Sequence, residues 1–140
     1  NVAGTRGSVI PYWNQLLQEG SSSLPLTDPR MSRFWITLDQ AVEFVLTKLK
    51  IMRGGEIFVP KLPSFYLTDL KEAMAPKAKT EVIGIRPGEK LHELLVSQDE
   101  ARHTLEFQNY YAILPEFTFR DDLPNIDKEL KKKKGKPLKE

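Results

Sequence analysis

The chain has 140 residues, 40% of them hydrophobic and 29% charged, which is enough apolar material for one domain with a core and too much for a chain disordered throughout. No apolar run approaches the roughly 18 residues of a membrane span, and the opening residues do not read as a secretory leader. The absence of cysteine excludes disulfides, thiolate metal sites and cysteine nucleophiles, and the expected compartment is the cytoplasm.

The net charge of +2 is unevenly placed. Lys128 to Glu140 holds seven lysines and two glutamates, a net of +5, whereas the rest carries 14 basic and 17 acidic residues, a net of −3. The body is mildly acidic and gives no reason to expect a nucleic-acid face. The Lys131–Lys134 run repels itself and reads as a solvated, mobile end. The expected organisation is one domain over residues 1–115 and a charged tail over 116–140. The chain opens without Met on Asn1-Val2-Ala3-Gly4, in the manner of a strand end running into a loop, so a fragment or processed chain is expected.

In chain order, Gly4 and Gly7 bracket a tight loop around Thr5 and Arg6 that brings backbone close to a neighbour or a ligand. Pro11 suits a first helical turn, and Tyr12, Trp13, Leu16 and Leu17 form an amphipathic stripe that Gly20 stops. Leu24 to Thr27 reads as extended, ended by the Asp28-Pro29 turn. Arg33 to Leu38 reads as a strand. Thr37 and Gln40 have capping-box spacing before a helix with Ala41, Val42, Val45, Leu46 and Leu49 on one face. Glu56 to Pro60 reads as a short buried strand. Thr68 is the expected N-cap of a helix through Met74, and Thr80 to Ile85 the next strand. Arg86-Pro87-Gly88-Glu89 is a turn, with a short helix expected through Val96. Ser97 and Glu100 form a second capping box, and Tyr110 to Leu114 a last strand. Alternating short strands and helices indicate an α/β chain, with too few strands for a full doubly wound sheet.

Much catalytic machinery is missing. The sequence has no Gly-x-Gly-x-x-Gly, no phosphate-binding Walker loop, no Gly-x-Ser-x-Gly elbow and no Tyr-x-x-x-Lys pair. His92 and His103 have no metal-ligand spacing. What remains suits an anion. Arg6 lies in the glycine loop, Arg33 begins an aromatic strand, and Arg86 shares a rigid turn with Glu89. A guanidinium fork donates two parallel hydrogen bonds to a pyrophosphate, and a carboxylate accepts both hydroxyls of a sugar diol. The same residues have plainer readings. Arg-Pro-Gly-Glu is a generic turn, and Arg33 has a surface partner available in Asp39. Trp13 and Trp35 read as core, and His92 as a helix-surface or hydrogen-bonded structural histidine.

Four stretches carry a resemblance: Asn1 to Pro11, Arg33-Phe34-Trp35-Ile36, Gly55 to Lys61, and Ile83 to Glu93 with its Arg-Pro-Gly-Glu-Lys-Leu-His-Glu run. In this order they resemble the C-terminal half of the inverting UDP-N-acetylglucosamine 4,6-dehydratases, which are extended short-chain dehydrogenases of bacterial surface-polysaccharide and flagellin-sugar synthesis. The resemblance covers about residues 1–115. It implies an α/β fold that is the substrate-binding C-terminal part of such an enzyme, with the Rossmann core absent. It implies a parent lyase that oxidises C4 of the sugar with NADP, eliminates water across C5 and C6, and returns hydride to C6 with inversion at C5. Carried over by position, Asn1 ends a Rossmann strand beside the diphosphate, Arg33 and Arg86 bind the diphosphate, and Glu89 holds the uridine ribose. The Arg6–Val9 loop, with Ser8 and Val9, and the Leu26-Thr27 pair line the nucleotide. Lys90, His92 and Glu93 belong to the motif without an assigned role. No catalytic residue, cofactor site or metal site is expected in this chain; NADP belongs to the parent.

The implied partner is a UDP-sugar, bound by a chain that is inactive alone. The alternative is a stand-alone binding or oligomerisation module derived from a nucleotide-sugar dehydratase or epimerase. A homo-oligomer is expected because Ile57, Phe58 and Val59 would lack Rossmann neighbours, each exposed side chain forgoing about 1.5–3 kcal/mol of burial. No nucleic-acid or membrane partner is expected.

Overall fold

The structure, a computed structural model, describes residues 2–117 and 135–138. It is a mixed α/β fold of short elements. In order they are α1 (Val9–Gln18), β1 (Ser23–Leu26), β2 (Ser32–Phe34), α2 (Leu38–Leu49), β3 (Ile57–Pro60), β4 (Ser64–Tyr66), α3 (Leu67–Met74), β5 (Lys79–Val82), α4 (Gln98–Ala101), β6 (Thr104–Glu106), β7 (Tyr110–Ile113) and β8 (Lys136–Pro137). The chain divides into two compact units, one of Asn1–Ala41 with Leu62–Glu93, the other of Val42–Lys61 with Leu94–Glu140.

The first unit is built on two pairs of strands. β1 runs parallel to β5, with Leu24 opposite Thr80 and Leu26 opposite Val82. β2 runs antiparallel to β4, with Arg33 opposite Phe65. Val2 bridges Ile36 in parallel. Alternation along β1 puts Leu24 and Leu26 inward, where they meet Trp13 of α1, Leu67 and Leu70 of α3, and Met31. Trp13 is 1% exposed, and its indole N–H donates to the Pro25 carbonyl at 3.0 Å, so its polar edge is satisfied inside the core. The helix α1 starts two residues before Pro11. Proline is tolerated there because a first-turn N–H has no intrahelical acceptor.

Three expectations in this unit are revised. Thr68 is not the N-cap of α3. The Leu67 N–H is taken by the Met31 carbonyl at 3.1 Å, which lets the helix follow β4 directly, with Tyr66 at the cap. The aromatic strand is shorter than Arg33–Leu38: the Trp35 N–H still donates in register to the Pro63 carbonyl at 2.9 Å, but Pro63 has no N–H to return the bond, and the ladder ends. Residues 91–96 form no helix. The Leu91 carbonyl accepts instead from the Ser32 N–H at 3.2 Å and from Arg33 Nη1 at 3.3 Å.

The second unit holds an antiparallel sheet in the order β3-β7-β6-β8. Leu105, Phe107 and Ala112 form its core, flanked by Phe58, Tyr110 and Leu114. Phe107 stacks on Tyr110 at 4.5 Å between centroids and 8° between planes, and Phe58 meets Tyr110 edge-on at 5.8 Å. Lys48 lies 3.3 Å from the Tyr110 ring centroid, and burial lowers its pKa. The β3 strand is an edge strand rather than a buried one, and Ile57 is 57% exposed. Both capping boxes are formed, Thr37 with Gln40 and Ser97 with Glu100. Glu56 is buried, and its carboxylate accepts the N–H groups of Arg53 and Gly54. Of the expected tail, 118–134 and 139–140 lie outside the described residues. Lys136 and Pro137 pair with Glu106 and Leu105. No helix among the described residues is long and apolar enough to cross a membrane.

Candidate functional site

The first unit contains a half-open cavity of about 460 Å³. One wall is the glycine loop. The Ala3 N–H donates to the Ile36 carbonyl at 2.8 Å and the Ser8 N–H to the Thr5 carbonyl at 3.0 Å. Gly4 and Gly7 supply the left-handed residues of that turn, with φ of +75° and +78°. The turn delivers Ser8 as the N-cap of α1, so Ser8, Val9 and Ile10 face the cavity together. A capping serine ordinarily accepts from the helix's first N–H groups. Here Ser8 makes no such bond, and its buried hydroxyl has no hydrogen-bond partner among the described residues.

A second wall comes from the β2–β4 pair. Arg33 lines the cavity with Phe34, Trp35 and Phe65. Its side chain is only 14% exposed, and it lies 4.0 Å from a Glu93 carboxylate oxygen. Its Nη1 donates to the Ser32 carbonyl at 2.7 Å. Asp39, the surface partner open on sequence grounds, is not the carboxylate it faces.

The third wall is the Arg86–Glu89 turn. It follows β5, whose ladder with β1 ends at the bond from the Ile83 N–H to the Leu26 carbonyl, 2.9 Å. That bond brings the turn beside Pro25 and Thr27, which also line the cavity. Arg86 and Glu89 are both exposed on its rim.

Of the residues singled out from sequence, Ser8, Val9, Thr27, Arg33, Arg86 and Glu89 line this one cavity. Leu26 does not; it is 1% exposed and part of the core. Arg6 is exposed in the loop and is not among the lining residues. Asn1 lies outside the described residues. Sequence reading missed Tyr12, Phe65, Ile83 and Glu93 as wall residues. Phe65 reaches the site only through its register opposite Arg33, and no local pattern signals that pairing. Trp13 and Trp35, read as core, pack there and also line the cavity.

The arrangement can bind an extended anion. Two arginines and a helix N-terminus line one volume, and each favours negative charge. Aromatic side chains supply the apolar remainder, and a rim carboxylate can accept from hydroxyl groups.

The family model described as polysaccharide biosynthesis protein matches residues 1–115. The chain is 54% identical over 121 residues to a UDP-N-acetylglucosamine 4,6-dehydratase (inverting) of Campylobacter jejuni serotype O:2, covering 86% of this chain and 36% of that protein. It is 47% identical over 140 residues to the protein of the same name from serotype O:23/36, covering 100% of this chain and 42% of that one. A UDP-glucose 4-epimerase of Rickettsia bellii is 39% identical over 118 residues, covering 81% of this chain and 34% of its own length. Among solved structures, Pen from Bacillus thuringiensis superposes with a TM-score of 0.81 at 34% identity, covering 99% of this chain and 41% of that one. The chain thus spans about two fifths or less of the length of the proteins it matches.

Proposed function

We infer, from the fact that this chain belongs to the polysaccharide biosynthesis protein family, that its cavity binds the nucleoside diphosphate of a UDP-sugar. The observation that carries this reading is the convergence of Arg33, Arg86 and the N-terminus of α1 at Ser8 on one cavity with Glu89 at its rim. Arg33 and Arg86 neutralise the diphosphate. The N-terminus of α1, at Ser8, adds the attraction of its dipole and free N–H groups for a phosphate oxygen. Glu89 Oε1 accepts from the ribose diol, and its other oxygen closes the turn. The aromatic side chains keep water from the base side. The names of the two Campylobacter relatives support UDP-N-acetylglucosamine as the substrate.

The reaction belongs to a longer protein, which we read as a 4,6-dehydratase, a lyase of surface-polysaccharide or flagellin-sugar synthesis. NADP would supply its hydride chemistry. The residues of this chain do not fit a dinucleotide. There is no Gly-x-Gly-x-x-Gly turn, and the glycine loop opens onto the arginine cavity instead. No hydride, elimination or protonation step is therefore assigned to this chain, whose part is to grip and orient the nucleotide. A charged nucleotide sugar does not cross a bilayer unaided, which supports a cytoplasmic reaction.

The test is a calorimetric titration of the chain with UDP-N-acetylglucosamine, UDP and uridine. Saturable binding of the first two and much weaker binding of uridine is the expected result. Equal binding of all three would overturn the diphosphate assignment.

A second reading has its own observation. α2 has no buried residue, and Leu38, Val42, Val45, Leu46 and Leu49 are all exposed. A helix with such a face favours a module that assembles through it. Association that persists while UDP fails to bind would favour this reading.

A further inference from the structure

The turn that carries Arg86 and Glu89 is exposed along its whole length, and no helix follows it before α4. It is held at its two ends. The entering end is the Ile83 N–H on the Leu26 carbonyl at 2.9 Å. The leaving end is a set of contacts to two consecutive residues of β2. The Ser32 N–H donates to the Leu91 carbonyl at 3.2 Å, and Ser32 Oγ lies 2.7 Å from His92 Nδ1. Arg33 reaches the Leu91 carbonyl at 3.3 Å and stands 4.0 Å from Glu93. Residues 84–90, between the two anchors, are all exposed, and Gly84 and Gly88 have φ of +84° and +85°.

Neither Ser32 nor His92 lines the cavity. We propose that the Ser32–His92 side-chain bond is a positioning clasp that fixes the Arg86–Glu89 turn relative to Arg33, so that both arginines meet one diphosphate. This rests on the nucleotide reading above. The physical reason is entropic. A loop fixed at both ends is ordered before the ligand arrives. A loop released at one end must be ordered by the ligand, which weakens binding without removing any contact to it. The backbone bond from Ser32 to Leu91 sets the strand-like approach of the two segments. The side-chain bond adds an attachment 60 residues apart in sequence, and unlike the Arg33 contacts it does not use the side chain that the diphosphate would engage. A serine hydroxyl can donate to a neutral Nδ1 or accept from a protonated one, so the clasp holds in either state.

The experiment measures UDP affinity by calorimetry on the full chain, with thermal unfolding recorded for each variant. His92→Phe and Ser32→Ala should each weaken UDP by roughly three- to tenfold, the loss of one hydrogen bond. His92→Asn sets an amide near the position of Nδ1 and should restore most of the affinity. In an Arg86→Ala background, His92→Phe should lower the affinity for inorganic pyrophosphate, which offers Glu89 no ribose, by less than about twofold, because at the diphosphate the clasp has little left to position. If His92→Phe lowers the unfolding temperature, Ser32→Ala at the same bond carries the comparison. Unchanged affinity in both single variants, or a full additive loss in the double variant, while Arg86→Ala alone loses UDP, overturns the clasp and leaves the nucleotide reading standing. Failure of the unaltered chain to bind UDP, or normal binding by Arg86→Ala, overturns the nucleotide reading and the clasp together.

Discussion

The backbone N–H of Arg86 donates to Glu89 Oε2 at 3.1 Å, and the Glu89 N–H donates to the Arg86 carbonyl at 3.0 Å. The two residues thus close their own turn, around Pro87 and a left-handed Gly88 at φ +85°. The reciprocal bonds leave the Arg86 guanidinium and Glu89 Oε1 to act outward from one rigid base.

Arg86→Ala should weaken UDP binding about tenfold or more, since a hydrogen bond to a charged group contributes about 1.5–3 kcal/mol. Uridine affinity should stay as it is, because the proposed reading sets the guanidinium against the diphosphate and not the base. Parallel titrations with UDP and uridine check this. An equal loss for both ligands would mean that the substitution disturbs the whole cavity.

Glu89→Gln keeps an oxygen that can accept the Arg86 N–H and removes the charge. Affinity for UDP should fall about tenfold, while inorganic pyrophosphate, which has no ribose, should bind unchanged or more tightly. Competition titrations separate the two. Equal weakening of both would show that Glu89 matters for the turn's shape rather than for the diol.

The readable and unreadable parts of this chain differ in range. Both capping boxes are local patterns of four residues, and both form. The Arg86–Glu89 turn was legible for the same reason, since proline and glycine restrict it locally. The helix expected after it was not, because the Leu91 carbonyl is captured by Ser32 and Arg33, 58 or more residues away. The β2–β4 and β1–β5 pairings were equally invisible. Their registers bring Phe65 and Ile83 to the cavity, and nothing in either short strand names its partner. Arg33 and Arg86 were legible as candidates by chemistry and by resemblance, and they line one cavity; the Phe65 side of its wall was not legible.

The exposed stripe of α2 should drive self-association. Its residues are from 49% exposed at Val42 to 63% at Leu38, and each large apolar side chain left in water forgoes about 1.5–3 kcal/mol. Sedimentation velocity should show a concentration-dependent shift above the monomer. Val45→Glu combined with Leu46→Lys should return the chain to a monomer and leave UDP affinity unchanged, since neither residue lines the cavity. A monomer at every concentration before substitution would refute this.

Asp28 is a measurable acid-sensitive contact. Its hydrogen bond from the Arg30 side chain lowers its pKa from 3.8 to about 2, and the backbone N–H of Arg30 adds to the effect. A folded-state pKa below the unfolded one means that the unfolded chain binds more protons between the two. The contribution is therefore complete above about pH 4 and disappears as pH falls toward 2. Asp28→Asn should unfold at a lower temperature than the unaltered chain at pH 6, with the gap closing below pH 3. Arg30 is 72% exposed, although the Asp28 side chain is only 14% exposed, so solvent screens the pair and the gap should be small. A gap that is constant from pH 6 to pH 2 would exclude the carboxylate's charge as its origin.

Gly135 is needed for its lack of a side chain. A Cβ there would stand 2.6 Å from Phe107 Cζ. Phe107 cannot easily retreat, because it is stacked on Tyr110 at 4.5 Å and belongs to the core of its sheet. The chain around Gly135 is also held, by the pairing of Lys136 and Pro137 with β6 and by the Leu138 N–H on the Thr104 carbonyl at 3.0 Å. Gly135→Ala must therefore displace either the ring or β8, at a cost of about 1–3 kcal/mol typical of overpacking. Urea unfolding should report that loss as a lower midpoint. Phe107→Leu removes the obstructing ring edge, so the double variant should lose less than the sum of the two single changes. Normal stability in Gly135→Ala, or strict additivity with Phe107→Leu, would mean that β8 does not press on the Phe107 ring.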